Sequence, residues 1–348
     1  MISSRAASYY LPAVVGGGVF VALVLVVVGG GFDLGVALAS FWRGSIGSSY
    51  ALLSATLVRS PPLILAGLAV TIAFRAGVIN IGAEGQLLAG AAATTAIGLS
   101  LAGSPSTVTL FAELAAGVAG GTAWAGVAAL LKRRFHVLEV ISTLMLNFVA
   151  IQGVAYLVRG PLQEPTRAFP QTSMLVPAAR LPTLLPGHRL HVGLVGAVGM
   201  ALALWWLLGS TAIGFRVRVV GASPAAGACS GGLNVQRVQF YAFLASGALA
   251  GLGGAVLVTG QTFGLFEDIS AGIGYTAIAV ALLARLSPVA VVGTGIFFGA
   301  LETGAAAMQR DAGIPSVFVS ILEALLVLGV LIIDYSRGAS RVPAPKVE

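Results

Sequence analysis

The sequence predicts an all-α polytopic membrane protein with about ten transmembrane helices. Of its 348 residues, 57% are hydrophobic and only 9% are charged. Apolar runs of about 20 residues, the length that a membrane-spanning helix requires, recur along the chain. Because an ordinary soluble domain carries about 25% charged residues, this composition excludes a soluble enzyme, a nucleic-acid-binding module and a disordered protein.

The positions of the predicted spans follow from the thickness of the bilayer. A hydrocarbon core of about 30 Å takes about 20 helical residues. The runs that satisfy this length are 11–32, 60–76, 78–102, 106–131, 137–158, 190–209, 238–260, 269–286, 288–306 and 314–334. The stretch 60–102 could also fold as broken or re-entrant helices. Run 11–32 is too long for the core of a signal peptide and has no cleavage site after it, so we expect a retained first span.

Basic residues set the predicted orientation of the single domain, 1–348. With the N-terminus in the cytoplasm, most lysines and arginines flank the cytoplasmic ends of the spans, so both termini are predicted to be cytoplasmic. The pieces outside the bilayer are then an interfacial segment at 33–59, an outer loop at 159–189, a cytoplasmic loop at 210–237 and a cytoplasmic tail at 335–348. The many prolines of the outer loop favour an extended chain, which is either a connector or a docking ledge.

No pattern in the sequence predicts catalysis. It contains no G-x-x-x-x-G-K-[ST] loop for ATP and no recognisable nucleophile motif. Its three histidines are not arranged with carboxylates as metal ligands, and its single cysteine cannot form an internal disulfide. We therefore expect no enzymatic activity, no metal and no cofactor in this chain, and no nucleic-acid partner.

Polar residues between the second and third spans predict a break in the helix. Residues 75–86 combine three glycines with Asn80, Glu84 and Gln86, and irregular backbone at membrane depth survives only inside protein or along a cavity. Two interpretations stay open. Asn80 caps the third span while Glu84 lies near its positive N-terminus, with Arg75 as its ion-pair partner, or these side chains line a substrate path.

A second polar group lies on the fifth span. Thr143 and Asn147 are four residues apart and share a helix face, and Gln152 follows them. They either bond neighbouring helices or line a polar route. Three isolated acids are expected to pair within the bundle: Glu113, Glu302 and Glu323.

The cytoplasmic loop contains a predicted short helix. Pro224 suits a first helical turn with Ser223 as its cap, and Gly231 with Gly232 would end the helix. Such a helix of small residues is either an unremarkable loop element or a knob that fits the groove of a partner protein.

Four blocks of sequence, in this order, resemble the permease subunits of bacterial ABC importers for nucleosides and simple sugars. They are residues 74–86 (FRAGVINIGAEGQ), 139–147 (EVISTLMLN), 221–231 (GASPAAGACSG) and 274–283 (GYTAIAVALL). The family is that of the branched-chain amino acid and ribose-type permeases, and the chain is most similar to the larger permease of nucleoside importers that use a basic-membrane-protein-type binding lipoprotein. The resemblance covers roughly residues 55–335.

This resemblance implies a type II ABC-importer-like permease in a bacterial cytoplasmic (inner) membrane. It implies a second permease subunit, which we expect to be a different chain, a cytoplasmic ABC ATPase that holds ATP and Mg, and an extracytoplasmic substrate-binding lipoprotein. The implied activity is passage of a nucleoside or simple sugar into the cytoplasm by alternating access. An ion-coupled secondary transporter of a small polar solute, with Glu84 or Glu323 as proton carrier, is the alternative.

The resemblance also implies roles for individual residues. The contact with the ATPase corresponds to the region around 221–232, and we predict that it involves Arg216, Arg218, Gly221, Pro224, Ala225, Ala226 and Gly227. The substrate path is predicted to involve Asn80, Glu84, Gln86, Thr143, Asn147 and Gln152.

Overall fold

The computed structural model describes residues 33–135, 137–229 and 233–315, together with Val317 and Ile321. Over these residues the chain is mainly α-helical. The predicted first span, most of the predicted last span with Glu323, the predicted helix stop at 231–232 and the C-terminal tail lie outside the described residues.

The helices are numbered in chain order. They are α1 (Leu34–Ser45), α2 (Ser49–Arg75), α3 (Ala83–Ser100), α4 (Ser106–Phe135), α5 (Glu139–Arg159), α6 (Gly193–Ser210), α7 (Ala212–Ala222), α8 (Pro224–Cys229), α9 (Val235–Thr262), α10 (Ile273–Leu283) and α11 (Pro288–Ala312). Helix α2 contains a π-helical segment at Leu52–Thr56, and α9 ends in another at Val258–Thr262.

Six helices in the described ranges are long and apolar enough to cross a membrane, namely α2, α4, α5, α6, α9 and α11. The prediction of a polytopic helical membrane protein is therefore confirmed, whereas the described residues do not confirm a count of ten. In two of the predicted spans, the helix in the structure is shorter than the apolar run in the sequence. Run 78–102 contains α3, which begins only at Ala83, and run 269–286 contains the short helix α10.

The start of the second span also differs from the prediction. The sequence placed its first residue at 60, but helix α2 begins at Ser49. Pro61 and Pro62 lie inside the helix and do not begin it. The predicted interfacial segment 33–59 therefore contains α1 and the first part of α2.

The chain divides into two compact units. The smaller unit includes the described residues 33–55 and 300–315, and its apolar core includes Ala37, Met308 and Ile314. Helix α1 begins there because the carboxylate of Asp33 accepts a hydrogen bond from the amide of Gly35 at 2.7 Å.

The larger unit comprises residues 56–299 and contains the candidate site. Its centre is α2, most of whose side chains are buried, packed against α9. Helices α4 and α9 meet through glycines, because a Cβ atom added to Gly247 or Gly251 would enter the backbone of α4 near Gly121. This contact confirms the close helix packing that small residues at four-residue spacing indicate in membrane bundles.

Candidate functional site

Helix α3 begins inside the bundle, not level with the end of α2. After α2 ends, the chain turns at Gly77, whose φ is +71°. The side-chain amide of Asn80 then donates to Ser246 Oγ at 2.9 Å, and Ser246 Oγ donates to the carbonyl of Ala69 at 2.7 Å. Since Ala69 lies more than one helical turn before the end of α2, residues 76–82 return alongside α2. The predicted break between these two helices is thus present.

A pair of amide side chains closes this break. Asn80 Nδ2 donates to Gln86 Oε1 at 3.0 Å, and Gln86 Nε2 donates to Asn80 Oδ1 at 3.2 Å. Asn80 Oδ1 also accepts from the amide of Gly82 at 2.8 Å, just before α3 begins. Both side chains are buried. The two side-chain amides therefore bond to each other and to one backbone amide of the irregular segment.

Asn147 of α5 caps α3 from a neighbouring helix. Its Oδ1 accepts from the amide of Gly85 in the first turn of α3 at 2.9 Å, and its Nδ2 donates to the carbonyl of Ile81 at 2.9 Å. Nδ2 is also 3.3 Å from the hydroxyl of Tyr275. Thr143 lies on the same buried face, where its hydroxyl donates to its own helix at the Glu139 carbonyl. Asn147 thus bonds to the start of a neighbouring helix in the described conformation.

Glu84 caps a different helix. Its side chain is only 2% exposed. One carboxylate oxygen accepts from Ser270 Oγ, and the other accepts from the amide of Gly274 at 2.7 Å, in the first turn of α10. A carboxylate at this position satisfies an amide that the helix itself leaves unpaired. The cap is possible because Gly274 lacks a Cβ atom, which would enter the backbone of Glu84.

The expected ion pair between Arg75 and Glu84 does not form in the described structure. Arg75 Nε donates instead to the carbonyl of Leu286 at 2.9 Å. The physical reason is depth, because Arg75 ends α2 whereas Glu84 begins α3 further inside the bundle. Ser246 and Ser270 were not predicted from the sequence, since short polar side chains in glycine-rich or loop segments give no distinguishing pattern.

These contacts define the inner polar cluster, which consists of Asn80, Glu84, Gln86, Asn147, Ser246 and Ser270. Its hydrogen bonds hold the first turns of α3 and α10 together within the bundle. Chemically the cluster fixes backbone geometry, and each of its predicted members already has protein partners. Discontinuous helices that begin within the bilayer are a recurrent feature of transport sites in membrane proteins.

Gln152 differs from the other five predicted path residues, which are buried. It is exposed on α5 and borders a cavity of about 330 Å³ together with Tyr156 and Arg159. Arg159 in turn donates to the carboxylate of Glu267. This cavity therefore presents an amide, a phenol and a guanidinium group on one helix.

The residues predicted to contact an ATPase lie on α7 and α8. Helix α7 begins where Thr211 Oγ1 accepts from the amide of Gly214 at 3.1 Å. Val217 and Val220 bury one face of α7, while Arg216 is exposed and Arg218 is half-buried.

Near its end, α7 contacts the helix break directly. A Cβ atom added to Gly221 would enter the carbonyl of Arg75, and one added to Gly77 would lie 3.3 Å from the Cα of Gly221. Glycine at both positions therefore permits backbone to meet backbone. The contact joins the α7–α8 segment to residues 76–82, which lead into the inner polar cluster.

The predicted short helix at Pro224 is confirmed as α8. Ser223 separates it from α7 with an extended backbone, φ −158°. Gly227 is buried, and a Cβ atom there would lie 3.5 Å from Val220 Cγ2. Pro224 and Ala225 are exposed. Helix α8, which includes Ala226, therefore rests on α7 and presents small residues outward.

Unpartnered polar atoms lie at the other end of α3. Glu113 of α4 is fully buried beside Gly98 and Leu175, and neither of its carboxylate oxygens has a hydrogen-bond partner among the described residues. The expectation that Glu113 pairs within the bundle is therefore wrong over the part of the chain described. Its carboxylate lies beside Gly98 and Leu175, which offer no polar side chain, while the nearby Thr94 hydroxyl donates to the backbone carbonyl of Glu113.

His191, in the loop before α6, is the second buried group at this end. Its Nδ1 accepts from the amide of Gly193 at 3.2 Å, and its Nε2 has no partner in the described ranges. Burial lowers the pKa of His191 to about 4; the nearby Val58 carbonyl opposes this shift, and the positive charge of Arg189 adds to it. The imidazole is therefore neutral at pH 7.

In the described part of the chain, no group of three or more His, Cys, Asp or Glu side chains is placed to hold a metal ion. The fold and the site together define an integral membrane protein in which polar groups fix helix ends within an apolar bundle. Residues 52–333 match the family described as branched-chain amino acid transport system / permease component. The chain belongs to this family.

Individual relatives agree with the family match. The chain is 37% identical over 295 residues to the glucose ABC transporter permease protein TsgB13 of Haloferax volcanii, covering 82% of this chain and 77% of the relative. It is 33% identical to the guanosine ABC transporter permease protein NupP of Bacillus subtilis, covering 87% of each chain. A second guanosine ABC transporter permease protein of Bacillus subtilis, NupQ, is 27% identical over 84% of this chain and 93% of its own length.

Proposed function

We propose that this chain passes a nucleoside or a simple sugar into the cytoplasm as the permease subunit of an ATP-driven importer. The observation that carries the proposal is the family match over residues 52–333, combined with relatives whose names state guanosine and glucose as their solutes. Such solutes are polar and neutral, so weak sites suffice for their passage.

The proposed importer contains further subunits. They are a cytoplasmic ABC ATPase, which holds ATP and Mg, an extracytoplasmic substrate-binding lipoprotein and a second permease. We propose that the second permease is a different chain. In support, Bacillus subtilis has two guanosine permease proteins, NupP and NupQ, that both resemble this chain but to different degrees.

We place the importer in a bacterial cytoplasmic membrane with both termini of this chain inside. The basic residues near the predicted cytoplasmic ends support that orientation. In it the α7–α8 segment faces the cytoplasm, where an ATPase can reach it.

The proposed transmission route starts at α8. This helix is exposed at Pro224 and Ala225, rests on α7, and α7 touches the helix break through Gly221. A force on α8 therefore reaches residues 76–82 through backbone contact, with no long side chain in between. Arg216 and Arg218 lie on the same segment and are proposed to contact the ATPase.

The proposed substrate path runs beside α5 and the starts of α3 and α10. Gln152 borders an open cavity in the described conformation. We propose that the five buried residues meet the path only when these helix starts separate during alternating access: Asn80, Glu84, Gln86, Thr143 and Asn147.

The decisive experiment is solute uptake by the purified complex in proteoliposomes. Uptake is expected to require ATP and to stop when the ATPase subunit is inactivated. Uptake by the chain without an ATPase would contradict the proposal, and uptake driven by a proton gradient alone would support ion coupling instead.

A charge on α8 tests the proposed ATPase contact. Ala225→Glu and Ala226→Glu are expected to reduce ATP-driven uptake by more than about tenfold while membrane insertion is unchanged, because an unpaired carboxylate buried at an interface costs several kcal/mol. Ala212→Glu, at the exposed first residue of α7, is the matched control and should retain uptake. Normal coupling in the α8 variants would contradict the assignment.

A further inference from the structure

A cavity of about 300 Å³ lies between the ends of three spans and is not used by the proposed transport path. It is bordered by the last turn of α4, the first turn of α5 and the first turns of α9. Its walls are mainly apolar and include Val137, Leu138, Phe240 and Phe243. We call it the basic cavity because Lys132 and Arg133 stand at its rim.

The charges at the basic cavity do not cancel. Lys132 Nζ is 3.1 Å from Glu139 Oε1, which neutralises that pair. The guanidinium of Arg133 lies 5.6 Å from the centre of the Phe240 ring, a cation–π contact that holds it over the cavity. Neither Arg133 nor Arg134 has a carboxylate within 4.0 Å among the residues that the structure describes. The rim therefore carries positive charge that a negative ligand would neutralise.

The surroundings of the cavity resemble a membrane interface. Helices α4, α5 and α9 all begin or end here, so the cavity lies at the level where spans leave the hydrocarbon. Phe135 and Leu138 are 69% and 66% exposed, and Tyr241 is 66% exposed. Exposed aromatic and apolar side chains beside arginines and lysines are typical of the headgroup region.

We propose that the basic cavity binds one anionic phospholipid. Its phosphate is held by the guanidinium group of Arg133 at the rim. Arg134, the next residue along α4, is exposed and adds a second positive charge nearby. An acyl chain lies against Leu138 and Phe240. The basic rim suits the anionic headgroup, since basic pockets between spans bind such headgroups. The apolar walls suit the acyl chain. An acidic segment of a partner protein would satisfy the arginines but would leave the exposed apolar rim of α4 and α5 uncovered.

The test is lipid binding to the purified full-length chain, measured by native mass spectrometry in detergent. Phosphatidylglycerol is compared with phosphatidylcholine of the same acyl chains. The unmodified protein is expected to prefer phosphatidylglycerol. Arg133→Ala should weaken its binding by about fivefold, as loss of one basic residue near an anionic headgroup does. The double variant Arg133→Ala/Arg134→Ala, which also removes the neighbouring cation, should weaken it at least as much.

Two control variants keep the test specific. Arg237→Ala removes an exposed cation at the same end of α9 that does not border the cavity, so phosphatidylglycerol binding should be unchanged. Arg133→Lys conserves the charge and should retain the preference for the anionic lipid. A monodisperse double variant also shows that lost binding is not lost folding.

Three results would overturn the inference. The first is equal binding of the two lipids by the unmodified protein, and the second is unchanged phosphatidylglycerol binding in the double variant. The third is crosslinking of Arg133→Cys to the ATPase subunit in an assembled complex that retains no phosphatidylglycerol, which would assign the cavity to a protein. The first two readouts require neither transport nor an ATPase subunit, so they are independent of the proposed function.

Discussion

At its first turn, α3 carries Glu84, whose carboxylate accepts hydrogen bonds from Ser270 and from the amide of Gly274. Towards its other end, α3 packs Gly98 against Glu113, a fully buried acid whose carboxylate oxygens find no partner among the described residues. The same helix thus contacts two buried carboxyl groups, one fully engaged and one not.

The difference between the two ends has an energetic meaning. Removing one partner of a buried hydrogen bond leaves the other unsatisfied and costs about 1–3 kcal/mol. A polar group that already lacks partners has no such contribution to lose. Substitutions in the inner polar cluster should therefore destabilise the protein strongly, whereas substitution of Glu113 should not.

The largest effect is expected for Gly274→Ala. The added Cβ atom would enter the backbone of Glu84, which cannot yield without moving α3, and overpacking of this kind costs about 3 kcal/mol or more. The measurement is the monodisperse fraction on size exclusion and the thermal unfolding midpoint in detergent.

The matched control for this variant is Gly293→Ala in α11, where a Cβ atom would meet nothing within 4 Å. It should not lower the midpoint, because alanine is the better helix former where its Cβ atom has room. Equal behaviour of the two glycine variants would show that α3 and α10 are not in direct backbone contact.

The next effect is expected for Asn147→Ala. It leaves the Gly85 amide and the Ile81 carbonyl without their partner, so we expect a loss of about 2–3 kcal/mol in the free energy of unfolding. Met145→Ala, on the exposed face of the same helix, should change it by no more than about 0.5 kcal/mol. Denaturant titration of both variants in one detergent gives the comparison, and similar losses would contradict the capping role.

The titration of His191 should make the stability of the folded protein depend on pH. Its pKa is lowered to about 4 in the folded protein, whereas an unfolded histidine has a pKa of about 6.5. The unfolded chain therefore binds more protons between these values, and stability falls as the pH drops through this window. Between pH 7 and pH 5 we expect a loss of about 2 kcal/mol from this group.

The variant His191→Gln isolates that contribution. Because glutamine does not titrate, unfolding of the variant should show a smaller loss on acidification than the unmodified protein. An identical pH profile for the two proteins would show that His191 is not buried in its neutral form.

The smallest effect is expected for Glu113→Gln. Since the carboxyl group has no partner in the described ranges, replacement with an uncharged amide of the same shape should change the free energy of unfolding by less than about 1 kcal/mol. Glu84→Gln, the matched change at the paired site, should cost more, about 2 kcal/mol. A larger loss in the free energy of unfolding for Glu113→Gln than for Glu84→Gln would contradict the proposed difference between the two ends of α3.

The sequence predicted the features that depend on local composition. The break in residues 75–86 follows from its glycines and polar side chains, and α8 begins at the predicted Pro224 because proline is suited to a first helical turn. The sequence also predicts that Asn147 faces other helices, since four-residue spacing places it with Thr143 on one face.

The partners of these residues could not be predicted. Glu84 meets Ser270 and Gly274 across separations of 186 and 190 residues, and no periodic pattern indicates such a pairing. Arg75 is close to Glu84 in the sequence and has the opposite charge, so the sequence favours an ion pair between them. The depth at which α3 begins keeps the two side chains apart. Hydropathy likewise overestimated the helices at 78–102 and 269–286, because apolar loop residues count the same as helical ones.

The early turn after α2 has a mechanical consequence. Because residues 76–82 run back beside Ala69 before α3 begins, this part of the wall consists of irregular backbone held by the amides of Asn80 and Gln86. A change of shape there exchanges a few side-chain bonds and unwinds no helix. The helical hydrogen bonds of the bundle are thus interrupted at one defined place, where side-chain amides take over the role of backbone partners.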